Sequence, residues 1–292
     1  MVVLPAADIR RAVRQGLEED AGKGDVTTSA LFAAAVPARG RIIAEQDLVV
    51  AGITPAVQTF LAVDPSLVLT VLKKDGSRAR NGDTLLRMEG DGRSILSAER
   101  VALNFLQHLS GIATLTSRFR QAVQGCRVQI LDTRKTLPGW RALQKWAVAL
   151  GGGTNHRRSL ADGVLIKDNH LSLLSSDEAV ADACRVAKQK GRSGPPIIVE
   201  VESLAEVKQA LAGQADIILL DNMTPSMIRN AVRLINGRAL VEVSGGVTLK
   251  TVRAIAKAGP DRISIGALTH SAPAAALTLE LERIDRPRKE RR

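Results

Sequence analysis

The sequence predicts an α/β protein in which a small α+β region precedes a parallel sheet crossed by helices. Three observations carry this. From residue 128 onward, short apolar runs alternate with helical segments, the pattern of βα units. Residues 40–90 read as short strands divided by turn residues. The chain of 292 residues is 45% hydrophobic but only 2% aromatic, with no Tyr, so its core is aliphatic, as in sheets buried on both faces.

The elements follow in order. Ile9, Val13 and Leu17 lie four apart and put one apolar face on a helix over 8–19. EDAGKGDVTTSALF then reads as a loop rich in Gly, Asp and Thr. Strands are expected in GRIIAE, LVVAGI, LVLTVL and TLLRMEG, with turns at Lys74-Asp75-Gly76 and Asn81-Gly82-Asp83. Val101, Phe105, Leu109 and Ile112 form the stripe of a long helix over 94–124. Apolar runs at 128–131, 164–166, 197–201, 216–220, 240–243 and 262–265 then alternate with helices expected over 138–149, 177–190, 203–212, 225–236, 248–258 and 273–282. Six or seven strands fit, so the pattern alone leaves an open sheet and an incomplete barrel as alternatives.

Composition narrows the function classes. The formal charge of +11 favours anionic partners. Much of it belongs to the tail from Arg283 to Arg292, RIDRPRKERR, which reads as a solvated end. A nucleic-acid binder fits poorly, because so few aromatics offer no stacking platform and no recognition motif stands out. Cys126 and Cys184 make neither a disulfide framework nor a metal site. No apolar run has the length of a membrane helix or a signal peptide, so the expectation is a soluble, cytoplasmic protein.

The polar clusters fall at one recurring place. Asp132, Arg134 and Lys135 follow the first run; Lys167, Asp168 and His170 the second; Asp221 and Asn222 the fourth; Ser244, Gly245 and Gly246 the fifth; Gly266 the sixth; and Glu200 lies at the end of the third. The C-terminal strand edge is where parallel α/β architectures bind ligands. Taken singly, several members are ordinary: an Arg-Lys pair is usually surface, a lone His usually structural, and Asp221 can cap the next helix. Glu200 differs, because a carboxylate inside a buried run needs a cation, a metal or a ligand hydroxyl. The stretch from Leu131 to His170 gathers Arg134, Lys135, His156, Arg157, Arg158, Lys167 and His170 around a Gly-Gly-Gly turn. Such a density of forked and point cations suits a small, heavily anionic molecule.

EDAGKGDVTTSAL, ERVALNFLQHLSGIAT, LDTRKTLPGWRALQKWAV, GGGTNHR, LIKDNH, VEVES, ILLDNM, VSGGV and GALTHS occur in an order that resembles the quinolinate phosphoribosyltransferase family, over residues 15–275 or so. DTRKT, GGGxNHR and IKDNH together are highly specific. The resemblance implies type II phosphoribosyltransferase architecture. An N-terminal α/β sandwich (1–110) is followed by an incomplete, about seven-stranded α/β barrel (111–269), with residues 270–292 packing back on the first domain. It implies transfer of phosphoribosyl from phosphoribosyl pyrophosphate to quinolinate with loss of CO2, giving nicotinate mononucleotide and pyrophosphate in de novo NAD biosynthesis. It further implies a homodimer, with a higher oligomer left open, in which Arg100 reaches into the neighbouring site.

Under that resemblance Arg100, Arg134, His156 and Arg157 meet the two carboxylates of quinolinate, while Lys135 and Lys167 meet phosphates and His170 lines the pocket. Glu200 and Asp221 take ribose hydroxyls, directly or through Mg²⁺, which is held mainly by the substrate. Ser244, Gly245 and Gly266 cradle the 5′-phosphate. Lys135, Glu200 and Asp221 are the catalytic set, and Lys135 and His156 are candidates to handle the proton that replaces CO2. Leu137, Trp140, Gln144 and Trp146 depart from the usual family pattern, none at a charged ligand position. They imply altered packing with activity kept, Gln144 removing a salt bridge.

Overall fold

The computed structural model describes residues 4–190 and 194–284. The basic tail expected to be solvated lies, beyond its first two residues, outside them. Twelve strands run in chain order: β1 (Pro37–Ala44), β2 (Leu48–Val49), β3 (Val68–Val71), β4 (Arg78–Ala79), β5 (Thr84–Asp91), β6 (Gln129–Leu131), β7 (Val164–Ile166), β8 (Ile197–Val201), β9 (Ile217–Asp221), β10 (Leu240–Ser244), β11 (Arg262–Ser264) and β12 (Leu277–Arg283). The chain forms two compact units. One gathers the residues up to Leu115, Leu137–Gly152 and the residues from Ala272 on; the other gathers Thr116–Thr136 and Gly153–Ser271.

In the first unit β12-β1-β5-β3 make an antiparallel sheet, and β2 pairs with β4. Ile42, Phe60, Leu85, Leu86, Met88, Ile95, Leu106 and Leu277 are buried in one aliphatic core. On the outward face of β1, Arg39 pairs with Glu89 of β5 and Arg41 with Glu280 of β12, the cross-strand pairing that helps hold a register.

Two parts of this unit depart from the sequence pattern. The helix expected over 273–282 is the strand β12, paired with β1 from Ala38↔Arg283 to Ala44↔Leu277. Ala, Leu and Glu favour helix locally, but Leu277, Leu279 and Leu281 alternate with polar residues and match the pleat. The strand expected in LVVAGI is cut short at Val49, and a helix follows over Ile53–Val63. Its first amides, Gly52, Ile53 and Thr54, donate to the Asp75 carboxylate at 2.7, 2.9 and 3.1 Å. The cap thus comes from a residue over twenty positions away. The EDAGKGDVTTSALF loop also holds a helix, Val26–Leu31, capped by Asp25, which accepts from Thr28 N at 2.9 Å.

The second unit is built on a parallel sheet in the order β6-β11-β10-β9-β8-β7. Its strands coincide with the apolar runs to within a residue or two. A seventh element is reduced to one parallel bridge beside β6: Thr154 N donates to Ile130 O at 2.8 Å, and Asp132 N donates to Thr154 O at 3.2 Å. No ladder joins β7 to β6 among the described residues, so the barrel is incomplete. The helices Ala179–Lys190, Leu204–Ala212, Pro225–Ile235 and Val252–Lys257 alternate with the strands. Because all six strands run the same way, their C-terminal ends share one edge, and the expected polar clusters stand along it.

Candidate active site

At the ends of β9 and β10, Asp221 is in register with Ser244. Asn222 folds back here with φ of 52°; its N–H donates to Ser244 O at 3.0 Å and its amide to Asp221 Oδ2 at 2.7 Å. Gly245 has φ of +88°, and a Cβ there would sit 2.2 Å from Asn222 Oδ1 and 2.8 Å from Asn222 N. Only glycine fits this turn. Asp221 does not cap the following helix, since Thr224 Oγ1 accepts from Met227 N at 3.3 Å. The carboxylate of Asp221 is therefore left at the rim.

One strand over, Lys167 forms an ion pair with Glu200. Glu200 is largely covered, its side chain 12% exposed, while that of Lys167 is 42% exposed. The cation demanded by a carboxylate within a buried strand is thus supplied from the neighbouring strand end. His170 accepts the Lys167 N–H on Nδ1 at 3.0 Å and shapes the turn after β7.

Lys135 is held by its backbone, with N–H to Thr133 Oγ1 at 3.0 Å and C=O from Thr269 Oγ1 at 2.7 Å. Its side chain crosses Gly266, where a Cβ would stand 3.1 Å from Lys135 Cδ and 3.0 Å from His270 Nε2. The absence of a side chain at 266 lets the lysine stem approach the backbone after β11.

Arg157 donates from Nη1 to Gly163 O at 3.0 Å. Its pKa is pulled below the ordinary arginine value, first by burial and then by the charge of Arg134, with Asp162 opposing. Arg134 is thus near enough for its charge to act on Arg157. Asp162 is occupied as a turn residue, accepting Arg158 N and Ser159 N at 2.7 and 2.9 Å.

Beneath these groups lies a buried polar layer, of which the sequence reading singled out Asp132 and His156 but neither Glu242 nor Ser264. Asp132, fully buried, accepts His156 N at 2.8 Å and Asn155 Nδ2 at 2.7 Å. His156 is turned inward, 9% exposed: Nδ1 accepts Arg157 N–H at 2.8 Å, and Nε2 lies 3.2 Å from Glu242 Oε1. Both ring nitrogens are thereby engaged within the protein. Glu242, fully buried in β10, also accepts from Ser264 Oγ on β11. It was missed although a charge within the apolar run LVEV is the same signal that drew attention to Glu200.

Arg100 belongs to the other unit, exposed on the helix Gly92–Ala122 and without an ion pair among the described residues. Three of the unusual residues of the motif meet there: Trp140 stacks on Phe105 at 4.9 Å, and Gln144 accepts Leu137 N at 2.9 Å while its amide faces His108 Nε2 at 2.7 Å. Gln144 is thus a hydrogen-bonded core residue. Burial holds His108 below the ordinary histidine value.

A largely apolar cavity of about 540 Å³ opens beside β7, lined by Leu165, Ile166, Leu174 and Val186 and bordered by Arg157 and His170. Among the described residues no group of three or more His, Cys, Asp or Glu could hold a metal ion, and no helix is long and apolar enough to cross a membrane.

Comparison with known proteins gives the family of the chain. Residues 25–110 match the model of the quinolinate phosphoribosyl transferase N-terminal domain, and residues 112–280 that of the C-terminal domain. The chain is 41% identical to a chloroplastic nicotinate-nucleotide pyrophosphorylase (carboxylating) of Oryza sativa subsp. japonica, over 95% of this chain and 79% of that one. It is 36% identical to a probable nicotinate-nucleotide pyrophosphorylase (carboxylating) of Bacillus subtilis, over 90% of each. The solved nicotinate-nucleotide pyrophosphorylase of Francisella tularensis superposes with a TM-score of 0.90 at 36% identity, covering 96% of this chain and 98% of that one.

Proposed function

The chain belongs to the quinolinate phosphoribosyltransferase family, and we propose that it transfers phosphoribosyl from phosphoribosyl pyrophosphate to quinolinate with decarboxylation, yielding nicotinate mononucleotide, pyrophosphate and CO2 for NAD biosynthesis. The observation that carries this reading is the gathering of Arg134, Lys135, Arg157 and Lys167 along the same strand-end edge as the carboxylates of Glu200 and Asp221. Two forked cations suit a dicarboxylate, and two acids suit a sugar.

Arg134 and Arg157 grip the quinolinate carboxylates, and Lys135 and Lys167 neutralise phosphate oxygens. Ser244, Gly245 and Gly266 offer backbone close to the 5′-phosphate, where a larger residue at 245 would collide with Asn222. Glu200 and Asp221 hold ribose hydroxyls and face the positive charge that develops at C1 as pyrophosphate departs. After transfer the ring nitrogen is cationic; the C2–carboxylate bond breaks, CO2 leaves, and the positive nitrogen stabilises the electron pair left on C2 until a proton takes it, so the protein orients and desolvates. Lys135 and His156 are the candidates to deliver the replacing proton.

The donor set fits Mg²⁺ carried by the substrate, since this ion keeps its waters and takes one or two carboxylates besides phosphate oxygens. Glu200 and Asp221 are the residues to meet it, and the ion supplies charge neutralisation of the leaving pyrophosphate. The exposure of Arg100 supports a homodimer in which it completes the partner's site. The unbridged Cys126 and Cys184 support a reducing, cytoplasmic setting.

The test is a CO2-release assay with quinolinate and phosphoribosyl pyrophosphate, alongside titration with quinolinate and with nicotinate. CO2 release and preferential quinolinate binding are expected. Equal affinity for both pyridines with no CO2 would refute the reading.

A further inference from the structure

We propose that Glu242 is a positioning residue of this site: through the ring of His156 it fixes the backbone and direction of Arg157. The proposal rests on the reading of Arg157 as the grip on a quinolinate carboxylate.

A fully buried carboxylate is costly unless partnered. Glu242 concentrates its interactions on one oxygen: Oε1 receives the Ser264 hydroxyl and lies 3.2 Å from His156 Nε2. Oε2 is buried as well and has no hydrogen-bond partner among the described residues. On the far side of the ring, His156 Nδ1 accepts Arg157 N–H at 2.8 Å. A ring nitrogen that accepts a backbone N–H carries no proton, so the neutral ring has its proton on Nε2, directed at Glu242. Oε1, which also receives the Ser264 hydroxyl, faces Nε2 as an acceptor and therefore selects this tautomer.

The same loop is fastened through His156 N and Asn155 Nδ2 to Asp132 at 2.8 and 2.7 Å. Carboxylates on β10 and at the end of β6 thus hold its two sides. Such fastening matters because Arg157 is repelled by Arg134. Without a fixed backbone the guanidinium is free to relax toward solvent, away from the place where both charges meet one anion. Glu242 thereby offsets the repulsion that makes the pair selective for a dianion.

Long-range ¹⁵N–¹H correlation spectra of the four histidines read the tautomer in the unmodified protein, with His156 assigned by its loss in His156→Gln. A ring with its proton on Nε2 and none on Nδ1 is expected, and a ring protonated on Nδ1 would overturn the proposal. In kinetics, Glu242→Ala is expected to raise the quinolinate KM about tenfold or more while the phosphoribosyl pyrophosphate KM stays within about threefold. Glu242→Gln, whose carbonyl oxygen still accepts the Nε2–H, recovers most of the loss. His156→Gln can keep a donor toward Glu242 but has no acceptor atom at the Nδ1 position for Arg157 N–H, so it repeats the selective rise and serves if Glu242→Ala does not fold. Equal rises in both KM values, or none, overturn the proposal. If the unmodified protein releases no CO2, the functional reading fails instead, and the tautomer measurement still decides the Glu242–His156–Arg157 arrangement.

Discussion

Substituting Gly245 by alanine tests the turn between β10 and the backbone read as a phosphate cradle. At φ of +88° an L side chain costs about 1 kcal/mol relative to glycine. The new Cβ would also stand 2.2 Å from Asn222 Oδ1 and 2.8 Å from Asn222 N. The side-chain oxygen can rotate away, but only by breaking the hydrogen bond that Asn222 Nδ2 donates to the Asp221 carboxylate, worth about 2 kcal/mol. The backbone nitrogen can retreat only by loosening its bond to Ser244 O, worth about 1 kcal/mol. The total, about 4 kcal/mol, falls on the turn and on Asp221. If all of it appears as lost substrate binding, the phosphoribosyl pyrophosphate KM rises by two to three orders of magnitude, at about 1.4 kcal/mol per tenfold. Steady-state kinetics with this substrate varied under saturating quinolinate reads the effect, and thermal unfolding reads how much is spent on stability. A KM within about twofold of the parent, whatever the unfolding midpoint, would show that the turn does not meet the substrate.

Three further outcomes are expected. Asp132→Asn keeps an oxygen for His156 N but sets an NH2 against the Asn155 amide, at about 2 kcal/mol; amide exchange over residues 154–158 should accelerate about thirtyfold, and unchanged exchange would contradict the network. His108 has a folded pKa below its unfolded value near 6.5, because burial penalises its charge. Between those two values the unfolded chain binds more protons, so its stability contribution is full above pH about 6.5 and is lost as pH falls toward the folded value. The thermal midpoint should therefore drop from pH 7.5 to 5.5 on this account, and His108→Gln should flatten the drop; an unaltered slope refutes the assignment. Burial pushes the Cys184 thiol up to about 11, so iodoacetamide at pH 8 should modify half-buried Cys126 and reach Cys184 only after unfolding, as mass spectrometry of the native and denatured protein would read.

Most of the parallel sheet was legible because its strands are buried on both faces and therefore read as uninterrupted apolar runs. The rim was legible for the same reason, since the polar residue that ends each run is where the strand leaves the core. Legibility failed where the deciding partner lies far along the chain. Leu277–Arg283 has helix-forming composition, and only pairing with Pro37–Ala44, more than two hundred residues away, makes it a strand. The helix Ile53–Val63 depends on Asp75 to cap it, in a stretch that by itself reads as a turn.

Glu200 and Glu242 sharpen the point within a single layer. Both are paired in register with Leu219, so they stand at the same height on either side of β9. Both interrupt an apolar run, and the cost of burying charge predicts a partner for each. Glu200 finds Lys167 and stays accessible at the rim, whereas Glu242 finds His156 and Ser264 and is sealed. Sequence predicts that a partner exists; which strand or loop supplies it decides whether the acid faces a ligand or holds the residue that does. Acids on the neighbouring strands hold Lys167 and His156 in place, each from a different side of β9. That division of labour is set by strand order, β6-β11-β10-β9-β8-β7, which no local run of residues encodes.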